Sequence, residues 1–322
     1  MKFYIADAFT KELFGGNPAG VVYLEFEDFP SDERMRKTAA ELRYSETAFV
    51  RRLGVDSFET RYFTPVNEVD LCGHATIGAF RALLHAGIVR NGERYRNVTK
   101  AGDLYAEISS DAVMMEMGTP VAVGTYGGAT ENSEGESVGE NFSGKIKHLY
   151  NIMGLNAKEQ FMTTASGEET AVVPKIVSTG LPDILLPVFD EAELSSIRPD
   201  FEALAELSEA AGVTGVHAFT TRASDGRIHV RNFAPLCGID EEAATGTANG
   251  ALAYFLYSCG VLGANASVRF IQGESMGRPS EIECRVERKK GRESSPSGAD
   301  GSDVTVKVGG DAVVLVEGNI RL

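Results

Sequence analysis

Residues 48–65 read AFVRRLGVDSFETRYFTP, and residues 218–235 read AFTTRASDGRIHVRNFAP. At a constant shift of 170 the two stretches share Ala-Phe at the start, an Arg at the fifth position and Arg-x-Phe-x-Pro at the end. Similarity at a fixed shift is typical of a duplicated structural unit. We therefore expect two copies of one unit, and this duplication decides the fold.

The duplication continues after a three-residue insertion, at a shift of 173. Cys72-Gly73-His74-Ala75 then corresponds to Thr245-Gly246-Thr247-Ala248. Each copy predicts a strand that ends at a Pro, then a Gly-containing turn, and then a helix that ends near Gly87 or Gly260. Both helices are apolar nearly all round, which is typical of a helix enclosed by other elements.

Short strand-like segments surround these units and predict the fold class. They are Phe3–Ala8, Val21–Leu24, Tyr105–Ile108, Ala112–Met117, Ile282–Val286, Val304–Val308 and Ala312–Val316. We expect an α+β fold of two pseudo-symmetric domains, each a barrel-like, mostly antiparallel or mixed sheet around a central helix. The predicted domains are residues 1–120 and residues 121–322, although the last strand can return to the first domain. We expect the active site in the cleft between the two domains.

Composition excludes several classes of function. The chain has 322 residues and a formal charge of −15, from 31 Lys and Arg against 46 Asp and Glu, which disfavours nucleic acid and anionic membranes as partners. No apolar run is long enough to span a bilayer, and the start MKFYIADAFT lacks the features of a signal peptide. The four Cys form no C-x-x-C pair, and the five His show no metal-binding spacing. We expect a soluble, cytoplasmic protein without a metal.

The two predicted helix starts, Gly73 and Gly246, indicate the kind of ligand. If a pseudo-two-fold axis relates the halves, both helix N-termini face one cleft, where unpaired N–H groups favour an anion such as a carboxylate. The alternative is that each glycine only permits a tight turn or close packing.

Residues that differ between the two copies indicate where the chemistry lies. One half alone supplies a carboxyl, an imidazole and a thiol: Glu46 against Val216, His74 against Thr247, and Cys72 against Thr245. The acids Glu241 and Glu242 stand just before the second helix. A Glu and a His beside a carboxylate site suit proton transfer at carbon. Each residue alone is also typical of a structural position, and it is their shared location that favours function.

Five motifs, in order along nearly the whole chain, resemble the PhzF-like (phenazine biosynthesis-like) family of the diaminopimelate epimerase-like superfold. They are DAFT…F-x-GNPAGVV (Asp7 to Val22), SETAF (Ser45 to Phe49), FTP…CGHAT (Phe63 to Thr76), R-x-FAP…EEAATGT (Arg231 to Thr247) and QG…MGRPS (Gln272 to Ser280). The resemblance implies two similar domains, a homodimer, and isomerisation of a small carboxylate without a cofactor. In the phenazine enzyme the substrate is trans-2,3-dihydro-3-hydroxyanthranilate.

The resemblance also implies roles for individual residues. Glu46 corresponds to the glutamate that moves the proton, His74 to a substrate contact, and Gly73 and Gly246 to the glycines whose N–H groups hold the carboxylate. The family motif E-D-P-A-T-G-S is changed here to EEAATGT, so that the substrate-contacting Asp is Glu242. In the same motif Ala243 replaces Pro and Thr247 replaces Ser.

Two alternatives remain beside an isomerase that uses Glu46. One is an amino-acid racemase or epimerase of the same superfold, which would pair Cys72 with a second thiol. Thr245 occupies that second position, and Cys237 lies eight residues upstream, expected on the wrong side of the turn, so this alternative is disfavoured. The other is a non-catalytic relative that binds a small anion or a protein.

Overall fold

The computed structural model describes residues 1–127, 144–289 and 301–322. Residues 124–144 and 291–303, whose Gly-, Ser- and acid-rich composition predicts exposed segments, lie largely outside these ranges. Within the described ranges, no helix has both the length and the apolar character that crossing a membrane requires.

The described residues form twenty strands and six α-helices, with 3₁₀ turns at 235–237 and 274–276. The helices are α1 (Asp32–Leu42), α2 (Gly73–His85), α3 (Gly144–Ile152), α4 (Glu191–Ser196), α5 (Phe201–Ala211) and α6 (Gly246–Ser258). The first strands are β1 (Lys2–Ala8), β2 (Asn17–Leu24), β3 (Thr47–Arg52), β4 (Ser57–Phe63), β5 (Glu68–Val69), β6 (Arg94–Thr99), β7 (Gly102–Ile108), β8 (Val113–Glu116), β9 (Val121–Thr125) and β10 (Gln160–Thr163). The remaining strands are β11 (Glu169–Val172), β12 (Lys175–Ser178), β13 (Pro182–Pro187), β14 (Gly215–Thr220), β15 (Ile228–Ala234), β16 (Ile239–Glu242), β17 (Ala266–Gln272), β18 (Ser280–Arg288), β19 (Val304–Gly310) and β20 (Ala312–Asn319).

Strand pairing repeats between the two halves. In the first half β1, β2, β3, β4, β6, β7 and β8 are neighbours in that order, and β2–β3 and β4–β6 are the parallel pairs. In the second half β12, β13, β14, β15, β17, β18 and β19 follow the same order, with β13–β14 and β15–β17 parallel. The predicted α+β fold with two pseudo-symmetric halves is therefore confirmed.

The two sheets are continuous with each other. Strand β19 pairs with β8, and the last strand, β20, returns to pair with β1 of the first half. Because the chain crosses between halves in this way, the boundary at residue 120 stays a prediction.

Helices α2 and α6 form the centres of the two halves. Ten of the thirteen residues of α2 and eleven of the thirteen of α6 are buried, as their apolar composition predicts. Both helices begin at the predicted glycines and end beside Gly87 and Gly260, which adopt the left-handed conformation at φ +70° and +73°. Outside the sheets, α1 packs on one half and α3, α4 and α5 pack on the other.

The N-termini of α2 and α6 touch. A Cβ atom placed on Gly73 would lie 3.3 Å from the Cα of Gly246, and one placed on Gly246 would lie 3.5 Å from the Cα of Gly73. The contact at Gly73 is tighter than a side chain ordinarily makes, so a methyl group there would push the two helix starts slightly apart, whereas the contact at Gly246 is an ordinary one.

The Arg278 side chain also ties the halves together. It lies just before β18, and its guanidinium donates to the carbonyl oxygens of Gly15 and Gly16 and to Asp7 Oδ1, at 2.7–2.8 Å. These three partners surround the start of β2 in the first half. Two of the motifs, DAFT…GNPAGVV and QG…MGRPS, therefore meet at the junction.

We predict that Gly73→Ala lowers the free energy of unfolding by about 1–3 kcal/mol, because the new methyl group overpacks the junction. Urea denaturation would measure the change. Gly263→Ala is the matched control, since Gly263 is exposed and has no atom within 4 Å of the added methyl group. Equal stability of the two variants would contradict the close helix contact.

Candidate active site

A cavity of about 1050 Å³ opens between the halves, at the meeting point of the two helices. Its walls include all six residues that the sequence predicts for the site: Glu46, Gly73, His74, Glu242, Gly246 and Thr247. Cys72, Asp183, Asn232 and Cys237 also line it. The structure thus brings the predicted site residues together, whereas their individual roles stay predictions. The expectation that Cys237 lies away from the cleft is wrong.

The starts of α2 and α6 present unpaired donors to the cavity. The N-cap residues, Cys72 and Thr245, make no capping hydrogen bond through their side chains. The first N–H groups of an α-helix have no partner inside the helix, and the positive end of its dipole lies there. Two such ends meet at Gly73 and Gly246, so this part of the cavity suits a carboxylate.

Glu46 and His74 form a buried ion pair at the edge of the cavity. Glu46 Oε2 lies 3.2 Å from His74 Nε2, and the two side chains are 11% and 3% exposed. Burial by itself raises the pKa of Glu46, but the neighbouring His74 outweighs it and holds that pKa below the ordinary value. Burial likewise lowers the pKa of His74, and contacts with Cys72 and Glu46 raise it well above the ordinary value. Both shifts favour the charged forms of the pair, a carboxylate beside an imidazolium.

Cys72 lies beside this pair, where burial disfavours its thiolate form. Its Sγ atom is 3.4 Å from His74 Nδ1 and 3.8 Å from Nε2. Burial, followed by the negative charge of Glu46, raises the pKa of the thiol to about 11. Glu46, Cys72 and His74 also offer ligand atoms within 4.8 Å of one another, so these three residues could hold a metal ion.

Glu242 lies near the Nδ1 atom of His74, whereas Glu46 lies near Nε2. The Oε1 atom of Glu242 lies 3.5 Å from His74 Nδ1 and accepts a hydrogen bond from Asn17 Nδ2 at 3.1 Å. Its Oε2 atom accepts from the hydroxyl of Thr245 at 2.7 Å. Burial, which His74 only partly offsets, raises the pKa of this carboxyl.

Asn17 determines which groups His74 can contact. Its amide Nδ2 donates to Glu242 Oε1 at 3.1 Å and to the carbonyl of Ala244 at 2.9 Å, which uses both of its hydrogens. His74 Nδ1, 3.2 Å from the same nitrogen, is then free to act as a donor, as an imidazolium requires. The GNP sequence alone gave no signal for this role, because Asn before Pro is equally typical of a turn.

The side chain of Gln272 stabilises the turn that contains Glu242 through hydrogen bonds. Its Nε2 donates to the carbonyl of Glu242 at 2.8 Å and to Thr245 Oγ1 at 3.0 Å, while its Oε1 accepts from the backbone of Thr245 and from Asn249 Nδ2. The hydroxyl of Ser280 donates to the carbonyl of Ala243 at 2.8 Å. These bonds fix the turn where the family's Pro is replaced by Ala243.

Comparison with known proteins agrees with this fold. The family model described as phenazine biosynthesis-like protein matches residues 6–318. An isomerase of Deinococcus radiodurans is 36% identical, over 98% of this chain and 96% of its own length. Trans-2,3-dihydro-3-hydroxyanthranilate isomerase of Pseudomonas aeruginosa is 28% identical, over 100% and 99%. A PhzF-family protein of Bacillus anthracis has the same fold, with a TM-score of 0.79 at 22% identity over 100% and 99% of the two chains.

The fold and site thus define an isomerase with its cleft between two similar halves. The chain belongs to the phenazine biosynthesis-like family, and the expected isomerase class is confirmed. The homodimer implied by the resemblance stays a prediction.

We predict that His74→Gln destabilises the protein far more at pH 8 than at pH 5. The ion pair contributes stability above the lowered pKa of Glu46 and below the raised pKa of His74. Without His74, burial drives the pKa of Glu46 above its ordinary value, so that at pH 8 an unpaired charge stays buried and costs about 3–5 kcal/mol of unfolding free energy. Urea denaturation at the two pH values would measure this.

Two further variants test the cause. Glu46→Gln combined with His74→Gln should regain part of the stability at pH 8, since the unpaired charge is then gone. His85→Gln, which removes an exposed pair with Glu317, should change stability by less than about 1 kcal/mol. Equal losses at pH 5 and pH 8 for His74→Gln would refute the charged pair.

Proposed function

We propose that this protein moves a proton between carbon atoms of a small carboxylate, without a cofactor, and that Glu46 is the general acid and base. The carrying observation is the buried contact between Glu46 and His74, 3.2 Å apart, in the wall of a cavity that also holds two helix N-termini without side-chain caps. The relative that acts on trans-2,3-dihydro-3-hydroxyanthranilate supports a reaction of this type.

In this proposal the substrate carboxylate binds the N–H groups at Gly73 and Gly246. That contact places the neighbouring carbons near Glu46, which accepts a proton as a carboxylate and returns it to another carbon. Because His74 keeps the pKa of Glu46 low, the carboxylate is available as a base at neutral pH. The imidazolium and the helix ends offset the negative charge that develops on the substrate as the C–H bond breaks.

Glu242 has a different part in the proposal. Its pKa is raised whereas that of Glu46 is lowered, so the two carboxyl groups beside His74 differ in how readily they ionise. Environments that push two such pKa values apart are typical of acid and base partners. Glu242 would contact the substrate, while Glu46 carries the proton.

A two-thiol racemase has less support. The pKa of the Cys72 thiol is raised to about 11, so little thiolate exists at neutral pH. The hydroxyl of Thr245, at the equivalent position, is occupied as a donor to Glu242. Cys237 lines the cavity, but its thiol pKa is also raised, by burial and by nearby acids.

We predict that Glu46→Gln lowers proton exchange by at least about 100-fold, because the amide cannot accept a proton as a carboxylate does. The protein would be incubated in D₂O with small carboxylates, including dihydro-hydroxyanthranilate and free amino acids, and deuterium uptake would be read by mass spectrometry. Binding of the exchanging compound should change only a few-fold.

Glu206→Gln is the control for this experiment, since it makes the same chemical change on the exposed face of α5. It should exchange at the wild-type rate. Exchange that persists in Glu46→Gln would rule out Glu46 as the proton carrier. A wild-type protein that binds a carboxylate without any exchange would favour the non-catalytic alternative.

A further inference from the structure

Asp183 is a buried carboxyl in the cavity wall that the reaction above does not use. It lies at the start of β13, in the second half, and is 2% exposed. It lines the same cavity as Glu46 and Glu242, but is contributed by β13 of the second half, whereas Glu46 comes from the first half.

No counter-ion accompanies this carboxyl. Among residues 1–127, 144–289 and 301–322, no basic side chain forms an ion pair with Asp183 and no side-chain donor bonds to it; its contact is with the backbone of Gly215. On the flanking strands Val177 and Gly215 stand opposite it. Burying a carboxyl without a partner costs free energy, so the fold gains nothing from it.

The duplication shows that the fold does not require an acid here. The sequence Gly180-Leu181-Pro182-Asp183 opens β13, and Gly16-Asn17-Pro18-Ala19 opens β2 in the first half. Both strands pair in parallel with the next strand of the repeated unit. The position of Asp183 is thus occupied by Ala19 in the other copy, where a methyl group is sufficient.

We propose that Asp183 binds a cationic nitrogen, an ammonium group, on the substrate. This inference rests on the proposed function only for the carboxylate group of the substrate. The two proposals together define the substrate as a small carboxylate that also carries a positive charge. In this proposal the helix N-termini at Gly73 and Gly246 bind the carboxylate of the substrate. Asp183, with Glu242 close enough to interact with its charge, takes the cationic end on the second half.

The protonation of Asp183 gives this site a distinct pH dependence. Burial, together with the charge of Glu242, raises its pKa to about 8. An ammonium ligand needs the ionised form, so affinity should rise about tenfold per pH unit up to pH 8 and then level off. Glu242 and Cys237 are the titratable groups close enough to interact with the charge of Asp183, and Glu46 and His74 line the same cavity.

The test uses benzylammonium and benzyl alcohol, which have similar shape but differ in charge and lack a carboxylate. Binding to the full-length protein would be measured by calorimetry from pH 6 to pH 8. The wild type should prefer benzylammonium by at least about tenfold at pH 8. Asp183→Asn should reduce this preference to about threefold or less and remove the rise of affinity with pH.

Asp240→Asn is the matched control. It makes the same change at an exposed carboxyl of the same cavity and should keep most of the preference. A second measurement separates binding from structure: at pH 7 Asp183→Asn should unfold at a temperature equal to or above that of the wild type, because it removes a buried acid without a partner. A clearly lower unfolding temperature would show that Asp183 is structural and overturn the proposal.

Other outcomes are also decisive. Failure of the wild type to bind benzylammonium at millimolar concentration, or equal preference in the wild type and Asp183→Asn, would overturn the ammonium site. Because these probes have no carboxylate, a protein that binds benzylammonium but exchanges no deuterium into any carboxylate would leave the ammonium site intact and count against the proposed isomerisation alone.

Discussion

The contact between the N-termini of α2 and α6 is the constraint on which the rest of the structure depends. Gly73 and Gly246 approach so closely that a Cβ atom on Gly73 would lie 3.3 Å from the Cα of Gly246. Like helix ends repel, since each is a positive end of a dipole. The sheets and the Arg278 bonds hold them together nevertheless, and the resulting positive region is what makes the cleft attractive to an anion.

The cleft combines groups that would be costly in isolation. A buried carboxylate is unfavourable, and so is a buried imidazolium, but Glu46 and His74 compensate each other at 3.2 Å. Glu242 is kept in place by Asn17 and Thr245 rather than by a full counter-charge, which is why its pKa moves in the opposite direction to that of Glu46. The two carboxyl groups beside His74 therefore have pKa values shifted in opposite directions.

Duplication explains how the cleft can be symmetric in shape and asymmetric in chemistry. The backbone of each half repeats the same strand order and the same helix start, which serves the anion. The side chains around these starts differ: the first half contributes Glu46, Cys72 and His74, and the second contributes Asp183 and Glu242. In the proposals above, one wall carries the proton while the other selects the substrate.

The sequence by itself determined the duplication and the enclosed helices with their glycine ends, because these depend on local periodicity and on comparison between the two copies. With the family resemblance, it also predicted six site residues that the structure brings to one cavity. Only the tertiary structure decided the contacts of Asn17 and Gln272, the burial of Asp183 and the placement of Cys237 in the cavity. Their contacts join residues as far apart as 225 positions in the chain, as between Asn17 and Glu242. Burial, charge and hydrogen bonding between such segments arise from packing, and no local pattern in the sequence records them.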